Sequence, residues 1–98
     1  MPLRHVVLLR FTPGTEPRQV DEIARALRSL PGSIPELDDY RVGTDLGLNE
    51  GNWDFGIAAD FATEEHYRTY RDDPDHQRII RELIQPVVAE RAAVQFAT

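Results

Sequence analysis

The sequence contains neither cysteine nor lysine among its 98 residues. Without cysteine there is no disulfide framework and no thiolate chemistry. Without lysine, covalent catalysis through a Schiff base is excluded, and all 11 basic residues are arginine, which suggests GC-rich coding. No apolar run approaches the roughly 20 residues of a membrane-spanning helix, and the first residues do not form a signal peptide. We therefore expect a cytoplasmic protein that does not enter a membrane.

Acidic residues outnumber basic ones by 17 to 11, giving a net charge of -6. An acidic chain without a basic cluster is a poor candidate for nucleic-acid binding, and it is repelled by anionic membranes. The 98 residues suffice for one domain, expected to span residues 1–98. A domain of this size buries about 65% of its unfolded surface, so association with a second copy would add stability.

The clearest strand signal is the alternation within Leu3–Phe11. One face would carry His5, Val7, Leu9 and Phe11, and the other Arg4, Val6, Leu8 and Arg10. The first face is apolar apart from its histidine, and the second is apolar in the middle. A strand that is apolar on both faces needs cover on both. The pattern therefore predicts helices on one side and a second protomer, in a homodimer, on the other.

The rest of the chain predicts elements in the order β-α-β-β-α-β, the ferredoxin-like α+β pattern. A first helix follows a cap at Thr15 or Glu16, with an apolar stripe of Val20, Ile23, Ala24, Leu27 and Leu30. Strands are expected over 37–46 and 53–61, and a second helix begins after the cap Thr63. A further helix carries Ile79, Ile80, Leu83 and Ile84, and the last strand is expected to start near Glu90.

Two helical patterns meet at the segment Tyr70–His76. Pro74 cannot continue a helix and pushes Asp73 out of the helical region, so a new helix should start with Asp73 as its N-cap. In an unbroken helix Tyr70 and His76 would lie on different faces; the break allows the phenol and the imidazole to converge. The positive end of the new helix disfavours imidazolium, whereas the neighbouring aspartates favour it, and the sequence leaves that balance open.

A neutral histidine beside a tyrosine could form a proton-transfer pair near pH 7. The alternative is that His76 is a polar first-turn residue and Tyr70 an edge of the core. Metal binding is the weaker interpretation, since the three histidines lack the spacing of a ligand set and His66 is expected on a solvated helix face. No metal and no cofactor are expected.

Several short segments, in this order, resemble the stress-responsive dimeric α/β-barrel (Dabb) family. They are His5–Phe11, Leu30-Pro31, Ile34-Pro35, Gly43-Thr44-Asp45, Asp60-Phe61, Tyr70 and Pro74-Asp75-His76. The resemblance covers nearly the whole chain. It implies a ferredoxin-like protomer whose sheet packs against the sheet of a second protomer, forming a barrel across a two-fold axis.

Within this family the chain is similar to a plant polyketide cyclase, which closes a linear poly-β-ketone by intramolecular aldol condensation without a cofactor. The resemblance implies that His76 is the base, that Tyr70 assists it and that His5 lines the same pocket. Two positions depart from the pattern: Phe55 replaces a further pocket histidine of the cyclase, and Gln95 replaces an aspartate of many members. His5 and His76 also occur in members of unknown function, so they mark the family rather than the reaction.

The expected pocket lies between the helices and the His5 face of the sheet. A mostly apolar cavity with few convergent polar groups is the usual form of a small-ligand site. The expected ligand-binding residues are Val7, Leu9, Ile23, Leu27, Phe55, Ile57, Ile79 and Leu83. The chemistry that fits is proton abstraction α to a carbonyl, with Tyr70 donating a hydrogen bond to the developing enolate oxygen.

Two classes of function stay open at this point. The first is a cofactor-independent cyclase, aldolase or isomerase that acts on a small carbonyl or polyketide-like compound. The second is a non-catalytic dimer that binds a small ligand or serves a structural or stress role. A haem-degrading or quinone-forming monooxygenase would be an analogy of fold alone, because the sequence carries no axial-ligand or flavin signal.

Overall fold

The computed structural model describes all 98 residues. They form one antiparallel sheet of four strands, with helices packed against one of its faces. The elements are β1 (Leu3–Phe11), α1 (Pro17–Arg28), β2 (Asp39–Thr44), β3 (Phe55–Phe61), α2 (Glu64–Asp72), α3 (Pro74–Ile79) and β4 (Val88–Ala97). A 3₁₀ turn, Leu30–Gly32, follows α1, and a π-helical turn, Ile80–Ile84, follows α3. The strand order β2-β3-β1-β4 confirms the ferredoxin-like α+β fold.

Strand boundaries differ from the sequence-based expectation by about two residues. β2 ends at Thr44 because Asp45 opens a turn, in which its carboxylate accepts a hydrogen bond from the backbone N–H of Gly47 at 2.9 Å. β3 begins at Phe55 and not at residue 53, because the N–H of Phe11 donates to the carboxylate of Asp54 at 2.9 Å instead of to a strand carbonyl. β4 begins at Val88, two residues before the expected start.

Side-chain caps start each of the two helices that meet at Pro74. Thr63 Oγ1 accepts a hydrogen bond from the N–H of His66 at 3.0 Å and starts α2. Asp73 Oδ1 accepts from the N–H groups of Asp75 and His76, at 2.9 and 3.0 Å, and starts α3 with Pro74 as its first residue. These caps satisfy N–H groups that have no partner within the helix. The expected break at Pro74 is therefore confirmed.

The core lies between the sheet and the helices. In β1, Leu3, His5, Val7 and Leu9 are buried, whereas Arg4 and Leu8 on the other face are exposed. Buried side chains from α1, α2 and β3 complete this layer, including Ile23, Leu27, Phe55, Phe61 and Tyr70.

The opposite face of the sheet is open in the single chain. On it, Val6 lies beside Val94, Leu8 beside Ala92 and Arg4 beside Phe96. Leu8, Val94 and Phe96 are 40%, 55% and 48% exposed. An apolar stripe of this kind on a small protein marks an association surface. It is the face for which the sequence predicts a second protomer.

Candidate functional site

A cavity of about 340 Å³ lies between the helices and the sheet, on the side of β4. Its apolar wall consists of Val7, Leu9, Leu27, Ile57, Ile80, Ile84 and Val88. Its polar groups are His5, Tyr67, Tyr70, Arg71, His76, Gln77, Gln85 and Arg91. An apolar wall with a small set of convergent polar groups is the usual composition of a small-ligand site.

Four of the eight residues expected to bind the ligand do border this cavity: Val7, Leu9, Leu27 and Ile57. The other four, Ile23, Phe55, Ile79 and Leu83, do not, and this is a correction to the sequence-based prediction. The first three are filled-in core, at most 2% exposed. Leu83 packs half-buried against that core. Close packing beneath α1 leaves no space there, so the cavity is confined to the part of the layer nearer β4.

The π-helical turn contributes the wall that sequence reasoning missed. The N–H of Gln85 donates to the carbonyl of Ile80, five residues earlier, at 2.8 Å. This wider turn places Ile80, Ile84 and Gln85 at the cavity. Such turns interrupt regular helices, often at functional sites, and they depend on packing that the sequence pattern does not reveal.

The structure brings together the three polar residues singled out from the sequence. The rings of Tyr70 and His76 stack with centroids 4.0 Å apart and an interplanar angle of 28°. The centroids of His5 and Tyr70 are 6.4 Å apart. His5 and His76 are only 4% and 8% exposed. The restart of the helix at Asp73 is what turns the imidazole of His76 towards the phenol of Tyr70.

The protonation of His76 follows from its contacts. Its Nδ1 lies 3.2 Å from the carbonyl oxygen of Arg71. A carbonyl can only accept, so Nδ1 carries the proton and Nε2 of the neutral ring is left as a proton acceptor. Burial lowers the pKa of His76, outweighing the Arg71 and Tyr70 carbonyls and the Asp73 carboxylate that raise it. The balance that the sequence left open is decided by burial, and the ring is neutral at pH 7.

His5 has the opposite arrangement. Gln95 Nε2 donates to its Nδ1 at 2.8 Å, so in the neutral ring the proton sits on Nε2. Burial lowers the pKa of His5 to about 4, and the positive charges of Arg91 and of a protonated His76 act in the same direction. Gln95 is neutral and cannot stabilise an imidazolium as an aspartate would. His5 is therefore a hydrogen-bond donor to the cavity, and His76 an acceptor.

The hydroxyl of Tyr70 is already engaged. It lies 3.0 Å from the hydroxyl of Tyr40 on β2, a residue that does not border the cavity. Burial raises the pKa of Tyr70 to about 12 and also raises the pKa of Tyr40, so both phenols stay protonated. The proton of Tyr70 is free for a ligand when Tyr40 is the donor of the pair.

Tyr67 is a second phenol at the site, and sequence reasoning missed it. Its ring centroid lies 5.0 Å from that of His5, and it borders the cavity three residues before Tyr70. Residues three apart share a helix face, so this spacing was the available signal. For Arg91 there was none: its place beside Leu9, on the His5 face, depends on the pairing of β1 with β4.

No group of three or more His, Asp or Glu side chains is placed to hold a metal ion. His66, expected on a solvated face, is instead half-buried, and its Nδ1 lacks a hydrogen-bond partner. None of the helices is both long enough and apolar enough to cross a lipid bilayer.

The structure is a ferredoxin-like α+β fold with a cavity lined by histidine, tyrosine and apolar side chains. The family model of the stress-responsive A/B barrel domain (Dabb) matches residues 3–98, and the chain belongs to this family. A comparison with curated proteins returned no match.

Among solved structures, the chain is similar to a dimeric ferredoxin-like protein of unknown function from Thermobifida fusca YX. The identity is 45%, the match covers 100% of this chain and 92% of that chain, and the TM-score is 0.93. A dimeric ferredoxin-like protein of unknown function from Bacteroides fragilis is 19% identical, with 99% and 96% covered and a TM-score of 0.86. A hydroxynitrile lyase from Passiflora edulis is 19% identical, with 99% and 93% covered and a TM-score of 0.85. These last two show the shared fold.

Proposed function

We propose that the protein is a cofactor-independent enzyme of the cyclase or aldolase type, which removes a proton α to the carbonyl of a small carbonyl or polyketide-like compound. The observation that supports it most strongly is the pair of opposite tautomers at one apolar cavity. His76 keeps an unprotonated Nε2, and His5 keeps a protonated one. A base and a hydrogen-bond donor are the two groups that enolate formation needs.

In this proposal Nε2 of His76 takes the proton from the α-carbon. The electron pair of the C–H bond forms the C=C bond of the enolate, and the π pair of the carbonyl moves to its oxygen, where the N–H of His5 and the hydroxyl of Tyr70 stabilise the negative charge. The enolate carbon then attacks a second carbonyl of the same compound. The new alkoxide takes the proton back from the His76 imidazolium, so the histidine is regenerated and no proton is gained or lost.

The surroundings of the two histidines suit this role. Burial destabilises the imidazolium form of His76, so the proton is returned rather than kept. The ring of Tyr70 stacks on His76 and fixes its orientation. A volume of about 340 Å³ is at the lower end of the range for small-molecule pockets and suits a compound with one ring.

The same proposal includes a homodimer formed through the open face of the sheet. The exposed apolar side chains Leu8, Val94 and Phe96 lie on one continuous surface. The similar proteins from Thermobifida fusca and Bacteroides fragilis are described as dimeric. A chain of 98 residues buries a limited fraction of its surface when it folds alone. Burying this apolar surface against a second copy would therefore add to its stability.

Hydrogen–deuterium exchange at the α-carbon of a simple ketone tests the enzymatic function without knowledge of the natural substrate. Acetophenone in D₂O, followed by NMR, is a ring-sized probe whose spontaneous exchange is slow. We expect the protein to accelerate the exchange and His76→Ala to abolish the acceleration with an unchanged circular dichroism spectrum. His66→Ala is the matched control, since His66 lies on α2 and does not border the cavity.

The alternative is the non-catalytic dimer that binds a small ligand. In that case acetophenone would shift the NMR signals of cavity residues such as Ile57 and Val88 while its exchange rate stays at the level of buffer. That result would overturn the enzymatic proposal and support the binding function.

A further inference from the structure

The charges at the cavity have one sign, although the protein as a whole is acidic. The chain has 17 acidic residues, yet no aspartate or glutamate borders the cavity, and Arg71 and Arg91 do. Arg71 is neutralised by Asp72, which its guanidinium contacts at 2.8 and 2.9 Å. Arg91 is left as the uncompensated charge of the site.

Arg91 is also unusual among the arginines of the chain. Eight of the 11 are in ion pairs with carboxylates, and Arg91 is not among them. Of the other two, Arg28 donates to the carbonyl of Val42 at 3.0 Å, and Arg25 lies exposed on α1. Arg91 is therefore the one arginine that combines a free guanidinium with a place at the cavity.

The position of Arg91 is fixed by the sheet. It pairs with Leu9 across β1 and β4, four residue pairs from the pairing of His5 with Gln95. Side chains an even number of residues apart on a strand share a face, so Arg91 lies on the same side of the sheet as His5, and it borders the same cavity as His76. Its charge lowers the pKa of His5 and of His76, which places the guanidinium within electrostatic reach of both rings. Arg91 is itself exposed, at the edge of the cavity.

We propose that the ligand of this cavity is an anion, a carbonyl compound with a carboxylate that pairs with Arg91 while its carbonyl group lies against His5 and His76. The planar guanidinium matches a carboxylate with two parallel hydrogen bonds. The pairing would fix the ligand at the end remote from the reacting carbon, which is how positioning contributes to rate. The inference rests on the proposed function, because it names the substrate class of the same site.

A matched pair of ligands tests the proposal: 4-acetylbenzoate and the nearly isosteric, neutral 4-acetylbenzamide. Calorimetric titration should show that the wild-type protein binds the acid roughly tenfold to a hundredfold more tightly, the range of one charge-assisted hydrogen-bonding contact. Arg91→Gln should remove this preference, because it should weaken the binding of 4-acetylbenzoate and leave the binding of 4-acetylbenzamide unchanged. Arg91→Lys keeps the positive charge but loses the two parallel N–H donors of the guanidinium, so it should retain part of the preference for the acid.

Arg25→Gln is the control, because it removes the same charge from an exposed arginine without an ion pair on α1. It should leave both affinities unchanged, so a general effect of net charge would be recognised. Equal binding of acid and amide to the wild-type protein would overturn the inference. So would an Arg91→Gln protein, folded by circular dichroism, that keeps the full preference for the acid.

The two proposals fail in different ways. His76→Ala should abolish α-proton exchange while preserving the preference for 4-acetylbenzoate, since the histidine does not contact the carboxylate. A wild-type protein that prefers the acid but exchanges no proton would support the anion site and overturn the enzymatic function. A protein that binds the acid and the amide equally, and exchanges the acetyl protons of both equally fast, would support the enzymatic function and overturn the anion site.

Discussion

The hydroxyl groups of Tyr40 and Tyr70 lie 3.0 Å apart and connect β2 to α2 through a hydrogen bond within the protein. Tyr70 is 2% exposed, and Tyr40 packs half-buried against the core. The two rings meet edge to face, with centroids 5.8 Å apart. The bond fixes the ring that stacks on His76, so it joins the stability of the protein to the geometry of the site.

Removing one of these hydroxyls should leave the other buried without a partner. We expect Tyr40→Phe to lower the free energy of unfolding by about 1–3 kcal/mol. The double variant with Tyr70→Phe should lose less than the sum of the single losses, because neither hydroxyl is then orphaned. Urea denaturation of the four proteins in this cycle measures the coupling, and strictly additive losses would contradict the bond.

Tyr40→Phe and Tyr70→Phe should differ in their effect on the rate of α-proton exchange. Tyr70→Phe should slow α-proton exchange on the order of 10²-fold, the scale of one lost donor to a developing oxyanion. Tyr40→Phe should slow it much less, because the Tyr70 hydroxyl is still present. The exchange rates of folded, ligand-saturated proteins test this, and an unaffected Tyr70→Phe protein would assign the donor role to Tyr67 or His5 instead.

Acid should destabilise the protein through its buried histidines. The pKa of His5 is lowered to about 4 in the folded protein, against about 6.5 in an unfolded chain. The unfolded state therefore takes up the proton first, so stability is full above about pH 6.5 and falls as the pH drops towards 4. His76, whose pKa is also lowered, adds in the same direction.

Urea midpoints measured at intervals between pH 7.5 and pH 4 test this prediction. His5→Gln should flatten the dependence in that window, since the variant has no proton to take up at this position. Asp60 and Asp72, whose pKa values are lowered by Arg4 and Arg71, contribute their losses at lower pH. Identical slopes for the wild type and His5→Gln would contradict the burial of a neutral histidine.

Leu27→Ala should be strongly destabilising. Leu27 is 1% exposed, at the centre of the stripe of α1. Truncations of this kind cost about 2–5 kcal/mol. Leu46→Ala, at a loop position 83% exposed, should change stability by less than about 0.5 kcal/mol. Chemical denaturation compares the two, and an unchanged midpoint for Leu27→Ala would mean that the enlarged cavity relaxes fully.

The open face of the sheet should hold the dimer together. Leu8→Glu places a charge between Ala92 and Gly56, in the middle of the apolar stripe. We expect sedimentation at micromolar concentration to show an 11.2 kDa monomer for this variant and twice that mass for the wild type. Arg25→Glu, on α1 over the other face, should stay dimeric. A monomeric wild-type protein would overturn the dimer.

Local chemistry made much of the fold predictable. Period-two alternation defines β1, and a proline preceded by an aspartate defines the start of α3, because both depend on the dihedral angles and hydrogen bonds of adjacent residues. The convergence of Tyr70 with His76 followed from the same break. The predicted β2 and β3 were too long by about two residues at the ends near Asp45 and Asp54, since these residues make side-chain hydrogen bonds that strand propensity does not encode.

By itself the sequence determined the order of the elements, the break at Pro74 and the two-sided apolar character of β1. The tertiary structure decided where the cavity lies, because close packing fills the space around Ile23 and Phe55 and leaves it open near β4. It also decided the charge state of His76, which burial controls. Strand register brought Arg91 to the face of His5 from 86 positions away in the chain, a long-range relationship that no local pattern records.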